Sequence, residues 1–202
     1  VVDWLILIAT DISKQSWPEL AAVTAAVAYL IFAIKQSLWC WPMAAISTSI
    51  YTLIFWDVAL LMESLLNVFY LAMAFYGFWQ WRYGGNQKTG VSLKVWPWHK
   101  HVVAVSCLAL LTVAVGYVMQ TNTHASFAYL DSFTTVFAVF STWLIAIKLV
   151  ENWLYWVLIN LLSAYLFSQK GLYLTTLLHS FYVVMSLYSY WLWNKEYQTQ
   201  CH

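Results

Sequence analysis

The sequence predicts an all-α integral membrane protein: seven transmembrane helices forming two parallel three-helix repeats joined by a central helix. Three observations carry that expectation: a composition no water-facing surface could have, a series of apolar runs near bilayer length, and a repeat at a fixed shift. Of 202 residues, 63% are hydrophobic and 8% charged, against about 25% charged in an ordinary soluble domain. Lipid must therefore solvate most of the chain. The apolar runs are read at 19–37, 41–56, 58–81, 101–119, 127–148, 152–169 and 172–193, each approaching the roughly 20 residues that cross a bilayer as a helix. Trp and Tyr, 14 of each, gather toward the ends of the runs, where an aromatic belt is expected.

Residues 1–18 precede the first run. Leu5-Ile6-Leu7-Ile8, between Asp3 and Asp11, is too short to span and lacks the basic flank of a signal peptide, so it reads as an interfacial segment. The chain opens on Val1, so a start residue or tag is expected to have been lost ahead of it. Residues 19–81 make the first three-helix repeat. The longest polar connection, Arg82–Lys100, holds Gly84, Gly85 and Gly90 with Arg82, Lys88, Lys94 and Lys100; with the fourth helix it forms a central section, 82–126. Residues 127–194 make the second repeat and 195–202 a tail. The basic connection should be cytoplasmic, because Lys and Arg concentrate on that side. Alternation then places Lys35, Lys148 and Lys195 inside, and Asp57, Asn122-Thr123-His124 and Lys170 outside. The N-terminus is expected outside and the C-terminus in the cytoplasm, with Lys14 and Lys170 the only basic residues on the wrong side.

The repeat appears when the sequence is shifted by 112. Leu60, Leu65 and Leu66 fall on Leu172, Leu177 and Leu178, Phe69-Tyr70 on Phe181-Tyr182, and Met73 on Met185. Tyr76 falls on Tyr188, Trp79 and Trp81 on Trp191 and Trp193, and Trp41 on Trp153; a shift of 113 pairs Lys35 with Lys148. A unit of three crossings repeated directly would come out inverted, and the helix between the copies restores the parallel sense. Parallel repeats with substrate held between the halves near the midplane are a transporter architecture.

Polar residues inside spans are costly and point to function. Glu63, Asn67 and Tyr70 share one helical face, and Thr175, His179 and Tyr182 repeat that spacing in the last helix. Trp153, Trp156 and Asn160 share a face of the sixth helix, and Asp131, Ser132 and Thr135 lie in the fifth. Trp41 and Thr48 of the second helix complete the candidate set. Each has a plainer reading: Trp153 as an interfacial anchor, Trp156 as packing, Asn67 and Asn160 as interhelical glue, His179 as a satisfied core histidine. Together they describe a box of aromatic faces with carboxamides and one acid. Such a box suits a flat, cationic heteroaromatic ligand, because ring faces attract cations.

Other classes fit less well. A net charge of +1 argues against nucleic acid. Cys40, Cys107 and Cys201 have neither metal nor disulfide spacing. His99-Lys100-His101, beside Trp96 and Trp98, reads as an interfacial loop and not a metal site. The sequence carries no phosphate-binding glycine loop and no nucleophile elbow, so no cofactor and no ATP-driven pumping are expected. A membrane-embedded enzyme acting on lipid would need an acid–base pair or two His one turn apart, and the spans hold a single His. A purely structural subunit would leave Glu63 and Asn160 unexplained. The partners expected are a small-molecule substrate and lipid, with a homo-oligomer also compatible.

Val150-Glu151-Asn152-Trp153-Leu154-Tyr155-Trp156-Val157-Leu158-Ile159-Asn160, followed by Gly171-Leu172-Tyr173, closely resembles a signature of the PnuC family of vitamin transporters. Asp131-Ser132, Ser16-Trp17 and Tyr76-Gly77 through Trp81 fit as well, so the likeness covers essentially the whole chain. The resemblance implies a SWEET-like arrangement of two three-helix bundles and a linker helix in a bacterial inner membrane. It also implies facilitated diffusion of nicotinamide riboside, thiamine, riboflavin or deoxynucleosides, trapped inside by phosphorylation, with Trp153, Trp156 and Asn160 as the binding signature. Nicotinamide riboside carriers of the family tend to have Gln where Asn67 stands, a small residue at Glu63 and Tyr at His179. These departures favour thiamine, carried by the family's thiamine-transporting branch, with nicotinamide riboside or riboflavin as the alternative.

Overall fold

The computed structural model describes residues 17–57, 61–85, 89–122, 127–169 and 173–201, with the backbone alone at 61–63, 173, 174 and 201. The interfacial segment expected at 1–16 lies outside them, as do His124, Lys170 and the side chain of Glu63. Among the described residues are α1 (Trp17–Ile34), α2 (Cys40–Asp57), α3 (Leu61–Tyr83), α4 (Trp98–Asn122), α5 (Ala128–Ala146), α6 (Asn152–Gln169) and α7 (Tyr173–Cys201). The seven expected runs each coincide with one helix. α7, at 29 residues, continues past the expected end at residue 193. At about 1.5 Å per residue it overruns a hydrocarbon core of roughly 30 Å, so Asn194-Lys195-Glu196 continue the helix beyond the apolar layer.

Residues 1–91 and 92–202 form two compact units. In the first, α1 meets α2 through small residues: Ala22 and Ala25 are buried, and buried Ser47 donates its hydroxyl to the Ala22 carbonyl at 2.9 Å. Small side chains let helix backbones approach closely in a membrane, where water supplies no driving force between helices. Ser64 of α3 donates to the Thr52 carbonyl of α2 at 3.0 Å. In the second unit α5 packs against both α4 and α6. Gly116 of α4 lies against Tyr129 of α5, whose ring occupies the space a Cβ would need. Hydroxyls within the spans, including those of Thr24, Thr48, Thr52 and Thr142, donate to carbonyls one turn back in their own helices. No water reaches that depth to satisfy them otherwise.

The two units share matching local features. α1 ends in a left-handed residue, Gln36 (φ 52°), and α5 ends in Lys148 (φ 55°). Around Gln36, its own N–H donates to the Ala33 carbonyl at 3.0 Å and the Ser37 N–H to Phe32 at 2.9 Å. Around Lys148 the matching bonds run to Ile145 at 2.9 Å and from Leu149 to Leu144 at 3.0 Å. Both are Schellman caps, which satisfy the last carbonyls of a helix, and both use a side-chain-bearing residue where glycine is usual. The register is therefore 112 throughout; the pairing of Lys35 with Lys148 at 113 gives way to Gln36 with Lys148.

Two further expectations are corrected. His99-Lys100-His101 is not a loop: all three lie in the first turn of α4. The connection before α4 is also partly docked. The Lys94 N–H donates to the Lys148 carbonyl at 3.0 Å, and the Val150 N–H donates to the Lys94 carbonyl at 2.9 Å. Leu93 is buried beside this bridge.

Candidate functional site

By length and composition α1, α4 and α5 are apolar enough to cross a membrane unaided. α2, α3, α5, α6 and α7 are richer in Trp, Tyr, Ser, Thr and Asn than α1 and α4. With the exception of Asp131, Ser132 and Thr135 on α5, the residues of the candidate set lie on α2, α3, α6 and α7. These are the second and third helices of each repeat expected from the sequence.

In the second unit Asn160 is the hub. It is buried, and its Nδ2 donates to the Trp156 carbonyl one turn back at 2.8 Å. That bond fixes the amide orientation and turns Oδ1 toward His179 Nδ1, 2.9 Å away. A carboxamide oxygen only accepts, so His179 carries its proton on Nδ1 and leaves Nε2 as the atom able to accept when the ring is neutral. The imidazole stacks on Phe167 (5.2 Å between centroids, 18° between planes) and meets the Tyr182 ring edge-on (6.0 Å, 89°). Trp156 is half-buried, and its indole N–H is buried with no acceptor among the described residues. The structure thus brings Asn160, His179 and Tyr182 into one chain of contacts that starts at the Trp156 backbone carbonyl, while the Trp156 side chain packs against the core cluster that includes Phe137, Tyr155 and Ile159.

Trp153 takes another place. It is 2% exposed and packs edge-on against Trp193 at 5.4 Å and 87°, which rules out the anchor reading. The first unit holds the same clasp: Trp41, also 2% exposed, meets Trp81 at 5.4 Å and 88°. Both buried indoles have an N–H without an acceptor among the described residues. Gly77 leaves room for Trp41, since a Cβ there would overlap its six-membered ring. Thr48 donates to the Ala44 carbonyl at 2.8 Å, matching the Asn160 bond to Trp156.

Of the remaining candidates, Asn67 and Tyr70 are half-buried on α3, with Tyr70 against Phe69 (5.7 Å). Asp131 is half-buried, and its backbone accepts the Thr134 hydroxyl at 2.9 Å. Glu63 lies on α3 with its side chain outside the description. Phe167, the stacking partner of His179, was missed by sequence reasoning. It stands seven residues after Asn160, two turns on along the same face, and that spacing was the available signal.

A seven-helix membrane chain in two compact units, with candidate polar residues on helices of both, has the build of a transporter. Residues 16–195 match the family described as nicotinamide mononucleotide transporter, and the chain belongs to that family. It is 26% identical over 189 residues to the nicotinamide riboside transporter PnuC of Escherichia coli K12, covering 80% of this chain and 78% of that one. It is also 22% identical over 186 residues to the riboflavin/roseoflavin transporter RibM of Streptomyces davaonensis, covering 89% and 87%. The crystal structure of the vitamin B3 transporter PnuC shares the fold, with a TM-score of 0.70 at 23% identity over 94% of this chain and 85% of that one. The chain is therefore a multi-pass vitamin transporter of the PnuC type and not an enzyme.

Proposed function

We propose that this chain is a uniporter of a bacterial inner membrane, passing a small vitamin with a cationic aromatic ring that a cytoplasmic kinase then traps. The observation that carries the reading is the Trp156–Asn160–His179 group. It ties an imidazole to a carboxamide that is itself held by the Trp156 backbone carbonyl, and the half-buried Trp156 indole is assigned to the same site because it shares a helical face with Asn160. An indole face attracts a cationic ring by about 0.5–2 kcal/mol, and an oriented imidazole nitrogen can read one polar edge of the ligand. Trp153, Asn67, Tyr70, Glu63, Tyr182, Trp41, Thr48 and Asp131 are the further residues assigned to substrate on the strength of the sequence.

Nicotinamide riboside is the first candidate. Its pyridinium supplies the cation, and a relative spanning 80% of this chain is named for it. The order expected from the sequence, thiamine first, is reversed on that ground. Thiamine stays as the second candidate because Glu63, one turn from Asn67 on α3, could address an aminopyrimidine. Purified protein in liposomes, with labelled nicotinamide riboside competed by thiamine and by riboflavin, tests both. Uptake should stop at equal concentrations once the membrane potential is clamped, since 100 mV acts on one charge with about 2.3 kcal/mol. Accumulation driven by a proton or sodium gradient would refute uniport, and indifference to all three vitamins would refute the substrate class. Trp156→Ala should cost about 1–3 kcal/mol of affinity, and Trp156→Phe much less, because a ring face remains.

A further inference from the structure

The second unit carries a groove that the transport reading does not use. Its cavity is about 340 Å³, lined by His101 and Val105 of α4, Phe133 and Phe137 of α5, and Glu151, Leu154, Tyr155 and Leu158 at and along α6. Leu154, Tyr155 and Leu158 take the side of α6 roughly opposite Trp153, Trp156 and Asn160, by the period of about 3.6 residues. The groove therefore backs onto the helix whose other face holds the candidate site.

One end is polar. His101 Nδ1 lies 2.8 Å from the Tyr155 hydroxyl. Glu151 Oε1 accepts the Trp96 backbone N–H at 3.1 Å and stands 3.7 Å from His101 Nε2, too far for a hydrogen bond. Glu151 Oε2 and His101 Nε2 are both buried without a hydrogen-bond partner among the described residues. A buried carboxylate oxygen calls for a donor, and a cationic donor makes the strongest such bond. The other end is apolar and open outward: Val105, Leu154 and Leu158 are 41%, 42% and 43% exposed. Apolar side chains so exposed on a spanning helix are available to an acyl chain. Lys100 adjoins His101 in sequence, the Lys94 backbone is bonded to residues 148 and 150, and both lysine side chains are exposed.

We infer that this groove binds a phospholipid whose headgroup ends in a primary ammonium. One acyl chain lies along Val105, Phe137, Leu154 and Leu158, the ammonium donates to Glu151 Oε2, and the phosphate sits toward Lys94 and Lys100. A water-soluble amine would leave the apolar wall unfilled, and an anionic glycerol headgroup would bring no cation to the carboxylate. A choline headgroup keeps the charge but has no N–H to give.

The test uses the full chain, purified in detergent, with native mass spectrometry of bound lipid. Phosphatidylethanolamine, phosphatidylcholine and phosphatidylglycerol with identical acyl chains are offered at equal concentration. The ethanolamine lipid should be retained at least fivefold over the other two on the unaltered protein, a comparison that needs no variant. Glu151→Gln should bring the ethanolamine and choline lipids level, and Leu158→Trp, which fills the groove, should lower ethanolamine-lipid retention severalfold. Equal retention of ethanolamine and choline lipids on the unaltered protein would overturn the assignment. So would a preference for the glycerol lipid, or full ethanolamine-lipid retention by Leu158→Trp.

Discussion

The bond between Asn160 and His179 can be isolated by a double-mutant cycle. Asn160→Ala removes the acceptor and leaves the His179 N–H buried without a partner. His179→Phe keeps the stack on Phe167, now 5.2 Å between centroids, and leaves Asn160 Oδ1 without its donor. Each single change should cost about 1–3 kcal/mol, because stranding a buried polar atom costs its full desolvation. The double change strands neither atom across this contact, so it should cost less than the sum by about 1–2 kcal/mol. Unfolding in detergent gives the stability arm of the cycle. Titration with nicotinamide riboside gives the binding arm, where each 1.4 kcal/mol is about tenfold in affinity. Additivity within about 0.5 kcal/mol in both arms would show that the two side chains do not act on one another and would refute the geometry described for the site.

Three further outcomes are expected. Gly77→Ala should destabilise by about 1–3 kcal/mol through overpacking, and Trp41→Leu in the same chain should recover much of the loss in a thermal unfolding assay; no recovery would dissociate the glycine from the indole. Gln36→Gly should be neutral or stabilising by up to about 1 kcal/mol, since a left-handed conformation costs a side-chain-bearing residue about 1–2 and glycine's freedom in the unfolded chain returns part of it. Gln36→Val should be destabilising in the same assay, and the reverse order would contradict the left-handed assignment. In a background without native cysteines, a cysteine at Asn122 should react with an impermeant thiol reagent on intact cells and one at Thr89 should not; reactivity at Thr89 alone would invert the topology.

Helix number and approximate span could be read in the chain because a bilayer sets both the length and the polarity of what crosses it. The repeat was equally open to reading, since Trp41, Trp81, Trp153 and Trp193 are rare, large and in register. Their pairing into two edge-on clasps is a tertiary fact about how α2 meets α3 and α6 meets α7. The Schellman caps stayed hidden because Gln36 and Lys148 stand where glycine would have announced a helix end. His101 looked like part of a loop because its partners, Tyr155 and Glu151, are 54 and 50 residues away along the chain. Periodicity over a short window cannot see a bond of that range, and the bridge from Lys94 to residues 148 and 150 was invisible for the same reason. Asn160 was found by its face, but its bond to His179 required knowing how α6 and α7 are rotated against each other.

The matched bonds at Thr48 and Asn160 show what duplication of one unit made available. Both side chains donate to the carbonyl four residues back, at 2.8 Å in each case. Threonine spends its single hydrogen on that bond and has no second polar group. Asparagine meets the same local requirement with its amide nitrogen and still has an oxygen to offer, which His179 takes. A protein assembled from two identical chains would have to carry the same residue at both places, so neither could change without the other. Fusion into one polypeptide frees one copy to remain a plain structural turn while its twin acquires a second bonding direction. Under the proposed function, that freedom gives a ligand with a ring at one end and hydroxyls at the other an unsymmetrical partner at Asn160 and His179.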